Sequence, residues 1–459
     1  MGKRVWPFIA GATAGAAGVL LAQALTPRRR LDPRLVRALH AGGEVPPTVL
    51  VPGLLGSRLL RPDGTEAWLN LANAFGHHDL RLPLRLPLPS SQDALLPGGL
   101  LGIDTVLPRV FGFTEYADLV HLLEGAGFRH GSSAPGRAYH VFAYDWRRDL
   151  VESARALGET LDRWAEAMGQ PAARFNLIGH SMGGLVARYY LRYGGAEPGE
   201  AAAVTWAGAR RVASLCLVAT PNGGSIPSLG AVLNGERVGL SYTTLAASVI
   251  ARMPSIYQLF PPAGTRPLLD SRGERLDADL HEVSTWERFG WGPFAGKRER
   301  RRAPYGDSAD GSVEQRAFVE AALQRAAAFH RALAQEPQTP CPARVVALGG
   351  DCLPTLARAI VADVPGLPPR FEPVTRREAE WMFEAGDGRV TRASVLASHV
   401  PGAEDTETGC GLQEASHVYF GAADHHGIYE EPTFQSVLLR LLLRPPRPRA
   451  TNAPLAVAR

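Results

Sequence analysis

The sequence predicts an α/β protein built on a mainly parallel, doubly wound sheet, and three observations carry that prediction. Strand-like apolar runs alternate with helical patterns over most of the chain. A Gly-x-Ser-x-Gly pentapeptide sits where one such run turns into a helix. One long segment between two strand runs breaks the alternation and reads as an insertion over the sheet. The strand-like runs are 47–51, 139–144, 174–178, 212–219 and 344–348, and helical patterns fall near 116–125, 151–168 and 185–193. Each helix then returns the chain along one face of the sheet, so that the next strand lies parallel to the last. With 459 residues, 45% hydrophobic and 20% charged, the chain can bury one large core with insertions or two smaller ones.

The pentapeptide is Gly179-His180-Ser181-Met182-Gly183, with Phe175-Asn176-Leu177-Ile178 before it and Leu185-Val186-Ala187 after it. A strand that turns sharply into a helix holds its tip residue in a strained conformation, so the positions two before and two after must lack side-chain bulk. Gly179 and Gly183 meet that demand, which nominates Ser181 as a nucleophile. Such a serine needs a base, an orienting acid and an oxyanion hole, and on this kind of sheet the acid and then the base follow the serine in the chain. Of the histidines beyond Ser181, those near the C-terminus are His399, His417, His425 and His426. The segment from Val418 to Ile428 reads as a last strand feeding a loop, followed by a helix through Leu438 to Leu442. That loop is where the base belongs, so His425 or His426 is expected to serve, while His399 and His417 read as solvated or strand-end residues. For the acid, the residues alone leave two candidates. Asp351 follows the strand run 344–348, and Asp387 lies in the tight Gly386-Asp387-Gly388-Arg389-Val390 turn.

Six separated segments together resemble one family. They are Val49-Leu50-Val51-Pro52-Gly53-Leu54-Leu55-Gly56-Ser57, Tyr144-Asp145-Trp146-Arg147, the Ser181 motif through Gly184, Pro221-Asn222-Gly223-Gly224-Ser225, Pro254-Ser255-Ile256-Tyr257-Gln258-Leu259 and Gly386-Asp387-Gly388-Arg389-Val390. Their order resembles that of the lecithin:cholesterol acyltransferase and lysosomal phospholipase A2 family, which implies the α/β-hydrolase fold with a large cap insertion. The resemblance implies Asp387 rather than Asp351 as the acid. It implies His425 as the base, because Ile428, Pro432 and Phe434 then fall at the family's spacing. The oxyanion donors of such enzymes are backbone N–H groups, one on the residue after the nucleophile and one on a strand-end loop. The first is Met182, and the resemblance puts the second at Leu54. Two departures stand out: Arg389 occupies a position where the family usually has threonine, and no cysteine precedes Cys216 to staple an N-terminal lid.

The expected organisation is a signal peptide or membrane anchor over 1–30, a first core part over 31–224, a cap over 225–340, a second core part over 341–444 and a Pro/Arg-rich tail over 445–459. Lys3 and Arg4 precede a weakly apolar stretch, and Ala22-Gln23-Ala24 has the form of a signal-peptidase site, whereas Arg28-Arg29-Arg30 suits an uncleaved anchor. Export and anchoring are thus both expected ahead of a cytoplasmic location. The stretch 57–114, rich in leucine and proline, reads as an irregular extended insertion. The run Lys297 to Arg302 reads as a solvated basic loop, and Asp145 with Arg147 as a fixed polar contact beneath the site. The formal charge of +4 is more than accounted for by the cations of the first 30 residues, so charge lends no support to nucleic-acid binding. Cys216 reads as a buried thiol, and in an exported chain Cys352 would pair with Cys410. No cofactor or metal site is expected.

The function expected is that of a serine-dependent lipase, phospholipase or O-acyltransferase acting on lipid acyl esters, with a lipid substrate met at a membrane or lipid interface. A soluble carboxylesterase with the same residues and a catalytically idle, membrane-anchored binding protein are the alternatives.

Overall fold

The computed structural model describes residues 45–68, 80–88, 95–101, 115–131, 137–200, 203–237, 244–296, 313–362, 364, 366–399, 409–443 and 456–458. Its centre is a parallel sheet of β1 (Thr48–Val51), β2 (Arg129–His130), β3 (Ala138–Val141), β4 (Phe175–His180), β5 (Val212–Val218), β6 (Arg344–Gly350), β7 (Ala415–Gly421) and β8 (Ala456–Ala458). Across the sheet the order is β8-β7-β6-β5-β4-β1-β3-β2. Every neighbouring pair is parallel. This is the α/β class read from the sequence. Among the described residues, the helices α1 (Glu115–Gly125), α2 (Leu150–Ala167), α3 (Met182–Tyr193), α4 (Val313–Ala334) and α5 (Pro432–Leu443) flank the sheet.

The central strands are apolar at successive positions because both faces are covered. Leu177, Leu215, Leu217, Val345 and Ala347 join one apolar cluster with α2, α3 and α4. Their chain neighbours Ile178, Cys216, Val218, Val346 and Leu348 point the other way and join a second cluster with α1 and α5. A period of two along each strand thus feeds two cores. Local signals set the helix ends. The Asp149 side chain accepts from the Val151 and Glu152 N–H groups at the start of α2, and Gly194, in the left-handed region, closes α3 with its N–H on the Tyr190 carbonyl.

The stretch read as irregular contains regular structure among its described residues. Ser57–Leu60, Glu66–Trp68 and Leu96–Leu100 form a small antiparallel sheet, whereas residues 80–88 carry no regular element, as their prolines require. The turn at Asp63-Gly64, with Gly64 at φ 81, closes the first of these pairings, and it is a hairpin signal that the proline density masked. Between β5 and β6 the chain runs through short helices at Ile226–Asn234, Pro254–Tyr257 and Val283–Phe289 and then through α4. The last of these lies on the core: Phe329 stacks on Tyr189 of α3 at 5.2 Å, and the Leu333 carbonyl accepts from Arg188 at 3.0 Å.

Residues 1–30, the run 297–302 and most of the tail lie outside the described residues. Among the described residues no helix is long and apolar enough to cross a membrane. The expected Cys352–Cys410 pairing is not formed. All four thiols are free, with Cys352 exposed just past the end of β6 and Cys410 buried ahead of the start of β7. Because β6 and β7 are parallel neighbours, those two stations lie on either side of the paired strands, unlike the close approach a disulfide needs.

Candidate active site

Strand β4 ends on His180 and α3 begins on Met182, so Ser181 alone makes the turn, at φ 50 and ψ −125. Positive φ in a serine costs on the order of 1–3 kcal/mol and persists only where the surroundings enforce it. They do so here by contact. A Cβ on Gly183 would stand 2.2 Å from the Val51 carbonyl oxygen, and one on Gly179 would stand 2.6 Å from the Gly184 Cα. The Ser181 N–H is tied to the Val218 carbonyl at 2.7 Å. The elbow is therefore wedged between the ends of β1 and β5, with the serine side chain at the C-terminal edge of the sheet.

Two loops bring groups to that edge. After β6 the chain makes an excursion through the antiparallel pair Leu353–Leu356 and Phe383–Gly386, then turns at Asp387. In this turn Asp387 Oδ1 accepts from the Arg389 N–H at 2.9 Å and the Val390 N–H at 2.7 Å. Its other oxygen, Oδ2, lies 2.8 Å from His425 Nδ1, and the His425 N–H donates to the Asp387 carbonyl at 2.9 Å. His425 Nε2 lies 3.1 Å from Ser181 Oγ. A carboxylate can only accept, so His425 carries its proton on Nδ1, leaving the Nε2 lone pair to accept the Ser181 hydroxyl. Asp387 is 1% exposed. Burial alone would raise its pKa, but the charge and hydrogen bond of His425 and the Val390 and Arg389 N–H groups outweigh it and hold the carboxyl below its usual range.

The structure thus brings Ser181, Asp387 and His425 into one hydrogen-bonded line. Asp351 is elsewhere occupied, pairing with Arg392 at 2.8 Å. His426 is exposed, its ring at 89° to that of His425. His417 is exposed on β7, whereas His399 is only half-exposed, and burial with the nearby Arg188 charge pushes it down to about 4. It is not the solvated residue that the sequence suggested. The Arg389 side chain turns away from Asp387 and pairs with Glu236 at 2.9 Å, so the departure from threonine leaves the turn's backbone contacts intact. Arg147 and Asp145 form a buried bidentate pair.

Among the described residues, neither the Leu54 nor the Met182 N–H meets an acceptor. Both flank Ser181, since a Cβ on Gly53 would stand 2.9 Å from the Ser181 Cβ. Sequence reasoning missed two further residues, Tyr116 and His180, whose side chains meet at 2.9 Å behind the serine. The His180 signal was available inside the pentapeptide; nothing local marks Tyr116. Beside the Asp387 turn lies a polar cleft of about 320 Å³ bordered by Arg275, Arg358, Glu384, Arg389 and His399. A small apolar cavity of about 40 Å³ lies within the segment between β5 and β6, bordered by Val232, Ala251 and Phe318, with Leu84 at its edge.

The family resemblance is borne out. Residues 97–283 match the model of the lecithin:cholesterol acyltransferase family, a span that includes the Ser181 elbow but neither Asp387 nor His425. A search of curated proteins finds no match. Among solved structures, a chain of the Tle4–Tli4 complex is similar at 16% identity and a TM-score of 0.50, with 86% of this chain and 98% of that chain covered. The Bacillus licheniformis lipase BlEst2 in its mature form aligns at 12% identity and a TM-score of 0.37, over 91% of this chain and 95% of that one. The fold is that of the α/β hydrolases, and the family match supports an enzyme of the acyl-ester hydrolase or acyltransferase type.

Proposed function

We propose, with membership of the lecithin:cholesterol acyltransferase type as the premise, that this chain is a serine-dependent enzyme that takes an acyl group from a lipid ester. It passes that group to water or to an acceptor hydroxyl. The observation that carries the reading is the line of contacts from Asp387 Oδ2 to His425 Nδ1 at 2.8 Å and from His425 Nε2 to Ser181 Oγ at 3.1 Å. Ser181 Oγ attacks the ester carbonyl as its proton passes to His425 Nε2. Asp387 holds the imidazole in the needed tautomer and stabilises the imidazolium that results. The negative charge that develops on the carbonyl oxygen is met by the Met182 and Leu54 N–H groups. Collapse of the tetrahedral intermediate breaks the ester bond, the leaving alkoxide takes the proton from His425, and an acyl-enzyme remains on Ser181. An incoming water or alcohol loses its proton to His425 and repeats the sequence in reverse.

The segment between β5 and β6 acts as the cap that shapes acyl-chain access and water entry, and so sets the balance of hydrolysis and transfer. The substrate is met at a membrane or lipid interface. A fluorophosphonate probe, followed by lipid mass spectrometry after incubation with mixed phospholipid and sterol vesicles, tests the reading. Labelling of Ser181 with release of fatty acid is expected of a hydrolase, and labelling with a new acylated alcohol of a transferase. Folded protein that neither labels nor changes the lipids would overturn it.

A further inference from the structure

A buried line of hydrogen bonds runs behind Ser181 and has no part in the steps above. The Gly53 N–H donates to Tyr116 Oη at 2.8 Å, Tyr116 Oη lies 2.9 Å from His180 Nδ1, and His180 Nε2 lies 3.3 Å from the His425 carbonyl oxygen. Tyr116 and His180 are both buried, and their rings meet edge to face at 5.5 Å. The direction of each bond follows from elementary chemistry. Burial, reinforced by His425 and His426, pushes His180 well below the usual imidazole range, so its ring is neutral and carries one N–H. A carbonyl can only accept, so that hydrogen sits on Nε2 and Nδ1 keeps its lone pair. The Tyr116 hydroxyl must then donate to Nδ1, and its oxygen is left to accept from Gly53. All the links are satisfied at once, and reversing one would leave a buried group unpaired.

The line joins two loops that come from distant parts of the chain. At one end is the turn 52–56, closed by the Gly56 N–H on the Gly53 carbonyl at 3.1 Å, with Leu55 at φ 65. This turn is clamped from both sides. A Cβ on Gly53 would meet the Ser181 Cβ at 2.9 Å, and one on Gly56 would meet Tyr116 Oη at 2.8 Å. At the other end is the loop that carries His425. The Pro52–Gly53 peptide held by Tyr116 adjoins the Gly53–Leu54 peptide, whose carbonyl is held by the Gly56 N–H, so the two contacts together fix where the Leu54 N–H stands.

We infer that Tyr116 and His180 are positioning residues, a strut that holds the Gly53–Leu54 backbone and the His425 loop at a set separation around Ser181. The strut touches no substrate. It acts through the Leu54 N–H, whose aim at the developing oxyanion must be in place before the substrate arrives for it to stabilise the transition state. This inference rests on the acyl-ester reading above, and the experiment separates the two.

Tyr116→Phe removes the hydroxyl and keeps the ring, and the readouts are kcat and KM on p-nitrophenyl butyrate and the affinity for a trifluoromethyl ketone that mimics the tetrahedral intermediate. The expected result is a 10- to 100-fold lower kcat, an unchanged KM, and affinity for the mimic lowered by the same factor, in protein with wild-type circular dichroism. His180→Gln, which offers both an acceptor and a donor, should keep more activity than His180→Leu. A folded Tyr116→Phe protein with wild-type kcat and mimic affinity would overturn the inference while leaving the acyl-ester reading in place. So would a loss confined to KM. Should Tyr116→Phe not fold, the comparison of His180→Gln with His180→Leu decides, equal activities counting against the strut. Wild-type protein inert toward the ester and the fluorophosphonate would instead remove the reading on which the inference stands.

Discussion

His425 Nε2 stands 3.1 Å from Ser181 Oγ across 244 residues of chain, while His426, the next residue, is exposed and turned at right angles to it. Ser181→Ala and His425→Ala are each expected to lower kcat/KM on a soluble ester by about 10⁴ or more without loss of helical circular dichroism. His426→Ala is expected to stay near wild type. The reverse result for the two histidines would move the base by one residue.

Asp387 meets His425 and Asp351 meets Arg392, so the two aspartates should separate cleanly in kinetics. Asp387→Asn favours the wrong imidazole tautomer and should reduce kcat by about 10⁴, whereas Asp351→Asn should change it by less than about threefold. Equal losses in the two variants would be incompatible with this assignment.

The elbow tolerates no side chain at Gly183, where a Cβ would press on the Val51 and Pro52 carbonyl oxygens at 2.2 and 2.3 Å. Gly183→Ala should lower the unfolding free energy by about 3 kcal/mol, measured from urea midpoints. Gly125, exposed at the end of α1 with open space around it, gives the contrast: Gly125→Ala should be neutral or stabilise by about 0.5 kcal/mol.

Beneath the site, Glu414 is buried between Arg188 and Arg192 of α3, paired with the first and at 3.0 Å from the second. Arg188 also donates to Asn222 Oδ1 at 3.2 Å. Removing the one carboxylate strands two buried guanidiniums, so Glu414→Gln should cost about 3–5 kcal/mol in stability. A midpoint in urea unchanged from wild type would show that water reaches these charges.

Acid should weaken the fold before it reaches the carboxylates. His180 and His330 are held well below the usual imidazole range by burial, and His399 is held at about 4 by burial and by Arg188. Above about pH 6.5 the folded and unfolded chains are both neutral at these rings, and stability is full. Below it the unfolded chain takes up protons that the fold refuses, so stability falls by as much as about 1.4 kcal/mol per pH unit for each ring. For His399 this loss levels off near pH 4. His399→Gln should flatten the slope of unfolding free energy against pH between 6.5 and 4, and an unaltered slope would exclude His399 as a contributor.

The main sheet was legible because a strand buried on both faces needs a continuous apolar run, and the runs at Leu50, Ile178, Leu217 and Ala347 all supply one. Helix ends were legible to within a few residues, since they depend on local groups such as Asp149 and Gly194. The antiparallel strands at Ser57–Leu60 and Leu96–Leu100 were not, because they lie among prolines and pair across dozens of residues. The excursion between β6 and Asp387 hides the approach of Asp387 to His425 in the same way, which is why the residues alone left Asp351 in contention. His399 looked solvated in the sequence because nothing adjacent to it reveals that Arg188, from α3, comes to stand nearby.

What the sequence by itself determined is whatever a few neighbouring residues enforce: the alternation of strand and helix, the glycine-flanked turn and Ser181 at its tip. Tertiary structure decided the rest of the site's geometry. Which carboxylate and which imidazole reach Ser181, how Tyr116 comes to hold the Gly53 N–H, and why Cys352 and Cys410 stay apart all depend on where parallel strands end. Those ends are set by packing across hundreds of residues, which no local pattern records.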